Sequence, residues 1–238
     1  MKKITLILLA MLPIAATAQD DLGLNLSLEA QKKIDKNWSV GLEAEYRNRD
    51  NLKTNDRWSA GIGVSYKVAK WLKASAGYKY LYDHNEKVNS SGKKYADYWG
   101  DRHRFQVSLT ASQRAGDFKF SLRERWQYTY RPEQTVQRYY VSTGGEADEH
   151  TYRGKGKNVL RSRLQLEYDK KDFWLTPYIS AEFYNAWALQ KTRYTVGVDW
   201  NISKQHTLGA FYRYQAVNDS DDDEPDRHMI GITYKFKF

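Results

Sequence analysis

Apolar and polar residues alternate over stretches of about ten residues, and this pattern recurs from Leu22 to the end of the chain. In LGLNLSLE, four leucines at every second position oppose Gly, Asn, Ser and Glu. The closing stretch GITYKFKF alternates into its last residue, Phe238. Because successive side chains of a strand point to opposite faces, this period predicts strands with one apolar and one polar face. No window carries an apolar stripe with a helical period, so we expect an all-β fold.

The pattern predicts roughly eleven strands, joined by breaks that alternate in length. Short breaks are centred on Asp35, Ala69, Ala115, Lys171 and Ser203. Longer polar breaks are found at 48–56, 83–101, 131–157, 185–190 and 216–226. Amphipathic strands of this length, with short turns at one end and long loops at the other, are typical of outer-membrane β-barrels. We therefore predict a transmembrane antiparallel meander β-barrel of about 10–12 strands.

The directions of the first and last strands raise a question of parity. The strand before the short turn at Asp35 and the strand that ends at Phe238 run the same way, which requires an odd number of strands. Bacterial single-chain barrels normally have an even number. We therefore expect ten or twelve strands, with one strand missed, merged with another or not spanning the membrane.

The amino terminus matches a secretory signal peptide. Residues 1–3 are basic at two positions, residues 4–15 are apolar, and Ala16-Thr17-Ala18 supplies the small residues read by a signal peptidase. The apolar run is too short for a transmembrane helix, and no later run approaches the required ~18 residues. We predict a cleaved signal peptide at 1–18 and a single barrel domain at 19–238. Export makes nucleic acid an unexpected partner for the net charge of +9.

Aromatic residues are concentrated at the ends of the predicted strands, which favours a membrane barrel over a soluble β-sandwich. Rings with a polar edge prefer the membrane interface, so two aromatic belts are expected. The polar faces are also too charged to form half of a soluble core, and the absence of Cys excludes a disulfide scaffold. The aromatic residues beside short turns are Trp38, Trp71 and Trp200, and those beside long loops are Trp58, Tyr80, Tyr82, Trp126, Tyr128 and Tyr130.

Four stretches resemble a known family: WSVGLEAEYR, VAKWLKASAGYKYLYD, LRSRLQLEYDKKDFWLTPYISAEFY and GITYKFKF. They are similar to the Bacteroidota outer-membrane barrels grouped as domain-of-unknown-function family 2490. The resemblance covers most of residues 20–238 and rests on pattern and composition. It implies an outer-membrane barrel and carries over no catalytic residues.

The inward-facing positions hold most of the positive charge. Arg104, Arg123, Arg125, Arg161 and Arg163 fall on three consecutive predicted strands and should form one inner patch. One interpretation is a narrow lumen packed with side chains, in which arginines pair with glutamates. The other is a cationic excess that attracts small anions, since rings of Arg or Lys select anions and Arg binds phosphate or carboxylate in a bidentate manner. These five arginines are the candidate lumenal anion-binding residues.

A lipid-modifying barrel enzyme is the alternative function. Such an enzyme needs a nucleophile and a base within reach of each other. Three polar residues, His103, Glu124 and Ser162, fall on outward positions of neighbouring strands, and a carboxylate facing lipid calls for a reason. His103 and Ser162 would be about two strand spacings apart, roughly 10 Å, too far for a hydrogen bond. We therefore assign no catalytic residue.

No metal or cofactor site is predicted. The acidic run NDSDDDEPD, Asn218 to Asp226, lacks the Gly and the bidentate Glu of an EF-hand and is interpreted as a solvated loop. His84, His150 and His228 are interpreted as isolated loop or rim residues. The chain contains no phosphate loop, nucleotide fingerprint or zinc motif.

The alternating carboxyl terminus is interpreted as an assembly signal. Tyr234, Phe236 and Phe238 resemble the terminal aromatic pattern by which outer-membrane assembly machinery recognises its clients. The expected partners are therefore outer-membrane lipid and the barrel-assembly machinery. We expect a monomer in the outer membrane of a Gram-negative bacterium.

Overall fold

The structure is a computed structural model that describes residues 21–171, 173–218 and 226–238. The predicted signal peptide at 1–18 and positions 219–225 of the acidic run lie outside the described residues. Within that part of the chain, no helix is both long and apolar enough to cross a membrane. The described strands are β1 (Asp21–Lys33), β2 (Trp38–Arg49), β3 (Thr54–Lys67), β4 (Leu72–Val88), β5 (Lys94–Ala115), β6 (Phe118–Arg131), β7 (Gln134–Tyr140), β8 (Glu146–Tyr152), β9 (Lys155–Tyr168), β10 (Leu175–Ala186), β11 (Ala188–Asn201), β12 (His206–Val217) and β13 (Arg227–Lys237).

Eleven of these strands close into a barrel, which confirms the predicted all-β barrel of about 10–12 strands. Consecutive strands pair antiparallel, and β6 pairs with β9 because β7 and β8 form a separate hairpin. The barrel closes where β1 pairs with β13 in a parallel register that runs from Asp21 opposite Arg227 to Gln31 opposite Lys237.

The expectation of an even strand number was wrong. An even number is required only if every neighbouring pair is antiparallel, whereas a parallel pair also satisfies the backbone groups of both strands. The closing contact extends past the last strand, since the Phe238 amide donates to the Gln31 carbonyl at 2.9 Å. The Lys33 amide in turn donates to the Phe238 carbonyl at 3.1 Å.

The outer face of the barrel is apolar and is bordered by aromatic rings at both ends. Leucine, isoleucine and valine side chains such as Leu28, Leu42 and Ile179 are more than half exposed on it. At the end with the β1–β2 turn, called here the lower end, Trp38 packs against Tyr66 with centroids 4.7 Å apart. The aromatic pairs at the opposite, upper end are Tyr46 with Trp58 and Tyr82 with Trp99, at 4.5 and 5.0 Å. This distribution is that of a membrane-spanning barrel.

The upper end carries a large strand extension where long loops were expected. The predicted loop 83–101 instead continues β4 and β5 in register, up to Val88 opposite Tyr95. The predicted loop 131–157 contains the β7–β8 hairpin, which adds to β5 through Lys94 opposite Tyr140. Both segments are rich in polar residues, so their composition indicated loops and not strands.

Asp148 on β8 joins the hairpin to β5. Its carboxylate accepts hydrogen bonds from Lys94 at 2.8 Å and from Arg138, and these bonds lower the pKa of Asp148 to about 2. Because the pKa is depressed on folding, this contact is fully present above the ordinary aspartate pKa and is lost as the pH falls towards 2.

Two other expected long breaks are tight turns. The break predicted at 48–56 is reduced to the residues between Arg49 and Thr54, where Asp50, Asn51 and Leu52 all have positive φ. The break predicted at 185–190 is reduced to Trp187, which has φ of 70° and links β10 directly to β11. A left-handed backbone conformation reverses the chain within a few residues. Such a turn is hard to predict from sequence when the residues that adopt it are not glycine.

The parallel closure predicts which engineered cysteines meet. The chain has no native Cys, and Ser27 on β1 lies opposite Thr233 on β13. Paired strands lie about 4.8 Å apart, within the Cα separation of a disulfide. Ser27→Cys combined with Thr233→Cys should therefore form an intramolecular disulfide on oxidation, detected by mass spectrometry of tryptic peptides.

The control combines Ser27→Cys with Lys237→Cys. The register partner of Lys237 is Gln31, four residues from Ser27, or about 13 Å along the strand. This pair should stay reduced. A disulfide in the control and none in the test pair would show that β1 and β13 do not pair in the parallel register.

Candidate functional site

Two neighbouring rows of inward-facing residues cross the barrel wall from β4 to β12. The strand register places each member of a row directly opposite the next. Inward positions are polar because alternation puts the apolar residues towards the outside. The first row consists of Lys73, Thr110, Arg123, Arg163, Glu182, Arg193 and Gln215. The second row consists of Ser75, Ser108, Arg125, Arg161, Tyr184 and Lys191.

The two rows, called here the cationic rows, carry four cations in the first and three in the second, and Glu182 is their one carboxylate. They contain four of the five arginines singled out in the sequence. The fifth, Arg104 on β5, lies opposite Lys79 and Thr129, also on the inner face. The structure therefore brings the five candidate residues onto one inner surface formed by β5, β6 and β9.

Glu182 holds the centre of the cationic rows. Its carboxylate receives hydrogen bonds from Arg123 and, at 2.9 Å, from Arg161, and the residue is 7% exposed. The Tyr184 hydroxyl donates to the same carboxylate at 3.1 Å and accepts from Arg193 at 2.6 Å. A single negative charge therefore organises three guanidinium groups around it.

The Tyr184 ring is enclosed by cations. The guanidinium carbons of Arg161 and Arg193 lie 4.5 and 4.8 Å from its centroid, and the ammonium of Lys191 lies 5.4 Å from it. The negative face of an aromatic ring attracts cations at these distances. No motif in the sequence marks Tyr184, and its inward parity on β10 is the one signal that could have indicated it.

Other lumenal arginines in this region bind neutral oxygens. Arg125 donates to the Ser108 hydroxyl at 2.9 Å, and Arg104 donates to the Thr129 hydroxyl at 3.1 Å. Arg213 on β12 donates to the Thr195 hydroxyl, also at 3.1 Å. These hydrogen bonds fix the guanidinium groups without neutralising their charge.

Arg163 and Lys73 have no hydrogen-bond or ion-pair partner within the described part of the chain. Arg163 stands in the first row between Arg123 and Glu182. The strongest charges acting on Lys73 are those of Lys119, Arg123 and Arg163, all of the same sign. Charge of one sign therefore accumulates on this part of the inner face.

The opposite wall is charge-balanced. Its main ion pairs are Arg47 with Glu45 at 2.8 Å, Lys79 with Glu43 at 2.8 Å, and Arg57 with Asp83. Asp83 also accepts from Arg102, at 3.0 Å. Asp83 was not among the predicted lumenal acids because it falls in the segment 83–101, which was predicted to be a loop. Positive charge is therefore in excess on the side of the cationic rows and not around the whole lumen.

The three outward polar residues considered for catalysis do not come together. The Ser162 hydroxyl donates to Glu124 at 2.7 Å, so these two form a pair on the outer face. His103 instead bonds the Tyr78 hydroxyl at 2.7 Å. In register, His103 lies opposite Tyr130, six residues along β6 from Glu124, or about 20 Å. The expected separation of roughly 10 Å was wrong because it ignored the offset along the strands.

The carboxy-terminal aromatic residues cover the lower end of the closing strands. The Tyr234 hydroxyl is 2.6 Å from His206 Nδ1, and the Phe236 ring stacks on His206 and on Phe238 at 5.0 and 5.1 Å. Lys32 of β1 places its ammonium 5.4 Å from the Phe238 ring. The ring of Phe238 is 54% exposed, so its contacts leave it accessible to another protein.

One histidine interpreted as isolated has two acidic neighbours. His84 and Glu86 on β4 lie beside Asp97 on β5, with one possible ligand atom from each residue within 4.8 Å of the others. The strand extension creates this cluster, since Glu86 and Asp97 are register partners. Spacing in the sequence could not reveal it while 83–101 was interpreted as a loop.

The closed sheet, the apolar outer face and the charged lumen define a membrane β-barrel. The chain belongs to the family described as protein of unknown function (DUF2490), whose model matches residues 23–225. No curated protein matches the chain.

Two solved structures resemble this chain, and the first of them has a similar fold. One is the translocator domain of the autotransporter NalP from Neisseria meningitidis, at 12% identity and a TM-score of 0.54, with 80% of this chain and 72% of that chain covered. The other is the beta domain of the Bordetella autotransporter Brka, at 15% identity and a TM-score of 0.48, with 83% and 79% covered. Both are outer-membrane β-barrels.

The position of Glu182 predicts a large effect of a small substitution. Glu182→Gln keeps the shape of the side chain but leaves Arg123 and Arg161 without their carboxylate. Breaking a buried ion pair costs about 3–5 kcal/mol, so we expect the free energy of unfolding to fall by about 3 kcal/mol. The measurement is urea unfolding of the barrel in lipid vesicles, followed by tryptophan fluorescence.

Glu43→Gln is the matched control. Glu43 pairs with Lys79, but its side chain is 37% exposed, so the loss should stay below about 1 kcal/mol. Equal losses for the two variants would mean that Glu182 does not hold the cationic rows together.

Proposed function

We propose that this protein is an outer-membrane barrel whose lumen forms a narrow passage that prefers anions. The observation that carries the proposal is the charge imbalance in the cationic rows, where seven cations occupy adjacent inward positions and Glu182 is the one carboxylate among them. Rings of Arg and Lys are a known means of selecting anions in pores.

The geometry of the hydrogen-bond donors favours binding of an oxyanion over binding of a monatomic anion. The Nε–H groups of Arg123 and Arg161 are buried and find no acceptor within the described part of the chain. Arg163, which stands between Arg123 and Glu182 in the first row, has no hydrogen-bond or ion-pair partner among the described residues. Planar guanidinium groups match the paired oxygens of phosphate and carboxylate, so such anions are the solute class we propose.

An envelope location supports the same proposal. We propose that residues 1–18 are a signal peptide, that residues 19–238 form one barrel domain, and that the barrel is a monomer in the outer membrane of a Gram-negative bacterium. The support comes from the sequence pattern of the amino terminus, from the aromatic rings at both ends of the barrel and from the fold shared with an outer-membrane translocator domain. The upper end, with its strand extensions, would then face outwards.

A lipid-modifying enzyme has less support. Glu124 and Ser162 form a hydrogen-bonded pair on the outer face, but the offset of His103 leaves that pair without the imidazole base the hypothesis invoked. A purely structural barrel shares the whole fold with the proposed passage and differs only in whether the lumen conducts.

Conductance in a planar bilayer tests the passage. Under a KCl gradient, the wild-type barrel should give single-channel currents whose reversal potential is displaced towards the equilibrium potential of chloride. The variant Arg123→Ala plus Arg163→Ala removes two adjacent charges of the first row. We expect this variant to shift the reversal potential towards zero or towards the equilibrium potential of potassium.

Arg138→Ala plus Arg153→Ala is the control with the same change in charge. Both residues belong to the region of the β7–β8 hairpin, outside the barrel wall. This variant should keep the wild-type reversal potential. Absence of conductance, or equal shifts in both variants, would contradict the proposed passage and leave the structural barrel.

The carboxyl terminus is proposed as the signal for the assembly machinery. Phe238→Ala removes an exposed ring while keeping the backbone bonds to Gln31 and Lys33. We expect less heat-modifiable barrel in the membrane, measured by gel shift of unboiled samples. Phe118→Ala, which removes another exposed ring at the lower end, should leave the level unchanged. Normal levels of the Phe238→Ala barrel would contradict the assembly role.

A further inference from the structure

We propose that His84, Glu86 and Asp97 form a binding site for a transition-metal ion such as Zn²⁺ on the outer face of the β4–β5 extension. The three residues are adjacent only because both strands continue past the aromatic residues of the upper end. His84 and Glu86 are two residues apart on one strand and so share a face. Asp97 faces Glu86 from the neighbouring strand.

The orientation of the His84 ring is fixed from outside the cluster. Its Nδ1 lies 3.1 Å from the backbone carbonyl oxygen of Asn55. The ring stacks on Trp99, with centroids 5.1 Å apart and planes at 19°, and the side chain is 12% exposed. An imidazole held by packing and by one nitrogen presents its other nitrogen in a defined direction.

The contact with Asn55 determines which ring nitrogen of His84 can bind a metal ion. A carbonyl oxygen only accepts hydrogen bonds, so Nδ1 of His84 must be the donor. In the neutral ring, Nε2 then carries the lone pair. Metal-binding histidines commonly have this arrangement, in which the second nitrogen donates to a backbone carbonyl.

The available nitrogen points at a carboxylate. Nε2 of His84 contacts an oxygen of Asp97, and both atoms of this contact carry lone pairs when the ring is neutral. Two such atoms repel unless a positive charge lies between them. A metal ion satisfies both, and so does a proton, which makes the proton the competing explanation that the experiment must separate.

The third ligand lies close by and is already oriented. Glu86 Oε1 accepts a hydrogen bond from Arg49 Nη2 at 2.8 Å, which leaves the second carboxylate oxygen for a metal. Hydrogen-bonded carboxylates are usual among metal ligands. The side chains of Glu86 and Asp97 are about half exposed, so they can rotate while His84 stays in place.

The spacing suits a small divalent ion. Zinc ligands at about 2.0–2.2 Å in a tetrahedral site stand about 3.3 Å from one another. One possible ligand atom from each of the three residues lies within 4.8 Å of the others. The Glu86 oxygen Oε1 lies 3.9 Å from Nδ1 of His84, so rotation of the Glu86 carboxylate is needed to bring its second oxygen towards Nε2. One nitrogen and two oxygens would leave a fourth position for water or for an oxygen of a bound molecule. An imidazole in the set favours Zn²⁺ over Ca²⁺, whose ligands are oxygens.

Isothermal titration of the purified, tag-free barrel with ZnCl₂ tests the site. We expect one Zn²⁺ per chain, and CaCl₂ should not compete. His84→Phe keeps the ring that stacks on Trp99 but removes both nitrogens, and Asp97→Asn removes one carboxylate. Loss of an outer-shell partner already costs about 10- to 100-fold in affinity, so each variant should weaken Zn²⁺ binding by at least about tenfold.

His150→Phe is the matched control. His150 lies on β8 of the neighbouring hairpin, and the same substitution there should leave Zn²⁺ affinity unchanged. The gel shift on heating verifies that each variant is a folded barrel.

Absence of Zn²⁺ binding to the wild type would assign the positive charge beside Asp97 to a proton and overturn the proposal. Equal loss in His84→Phe and His150→Phe would overturn it as well, as would binding of Ca²⁺ in place of Zn²⁺.

Discussion

The barrel depends on the requirement that every backbone N–H and C=O group in the lipid has a hydrogen-bond partner. An open sheet would expose two unpaired edges, at a cost of several kcal/mol for each unsatisfied group. Here the edges are those of β1 and β13, and they are joined by eleven consecutive register pairs. The two strands are separated by most of the chain, so this contact is the least local one in the fold. Closure fixes the diameter, and the diameter determines how near the inner side chains come to one another.

The inner face divides into two walls with different electrostatics. On β2, β3 and β4, acidic and basic residues form ion pairs, either within a strand or between strands. From β5 to β12, guanidinium groups outnumber carboxylates. Arg123 and Arg161 bind Glu182, whereas hydroxyl and amide oxygens hold Arg104, Arg125, Arg193 and Arg213. The electrostatic field of a buried cation persists when only neutral groups bind it, whereas a paired carboxylate cancels most of that field. The asymmetry gives the lumen a positive side, and Glu182 sets how closely the arginines on that side can approach.

Much of this could be predicted from the sequence because alternation determines which residues share a face. The strands, the apolar exterior and the grouping of Arg123, Arg125, Arg161 and Arg163 all follow from parity alone. The parity of the strand count could not be settled in the same way, because alternation is identical in parallel and antiparallel pairs. Local composition misled at 83–101, where polar residues on a strand extension resemble a loop. Contacts such as His84 with Asp97 depend on register between strands, which a single sequence does not encode visibly.

Because the number of barrel strands is odd, the start of the first strand and the end of the last strand lie at opposite ends of the barrel. With an even number, both ends of the chain would leave the sheet on the same side of the membrane. Here β1 begins at the upper rim with Asp21, whereas β13 ends at the lower rim near Phe238. The start of β1 therefore lies beside the strand extensions, and the end of β13 lies at the opposite end of the barrel. From Asp21 to Phe238 the described strands make one net crossing, so labels placed at the two ends of the sheet would report on opposite sides of the bilayer.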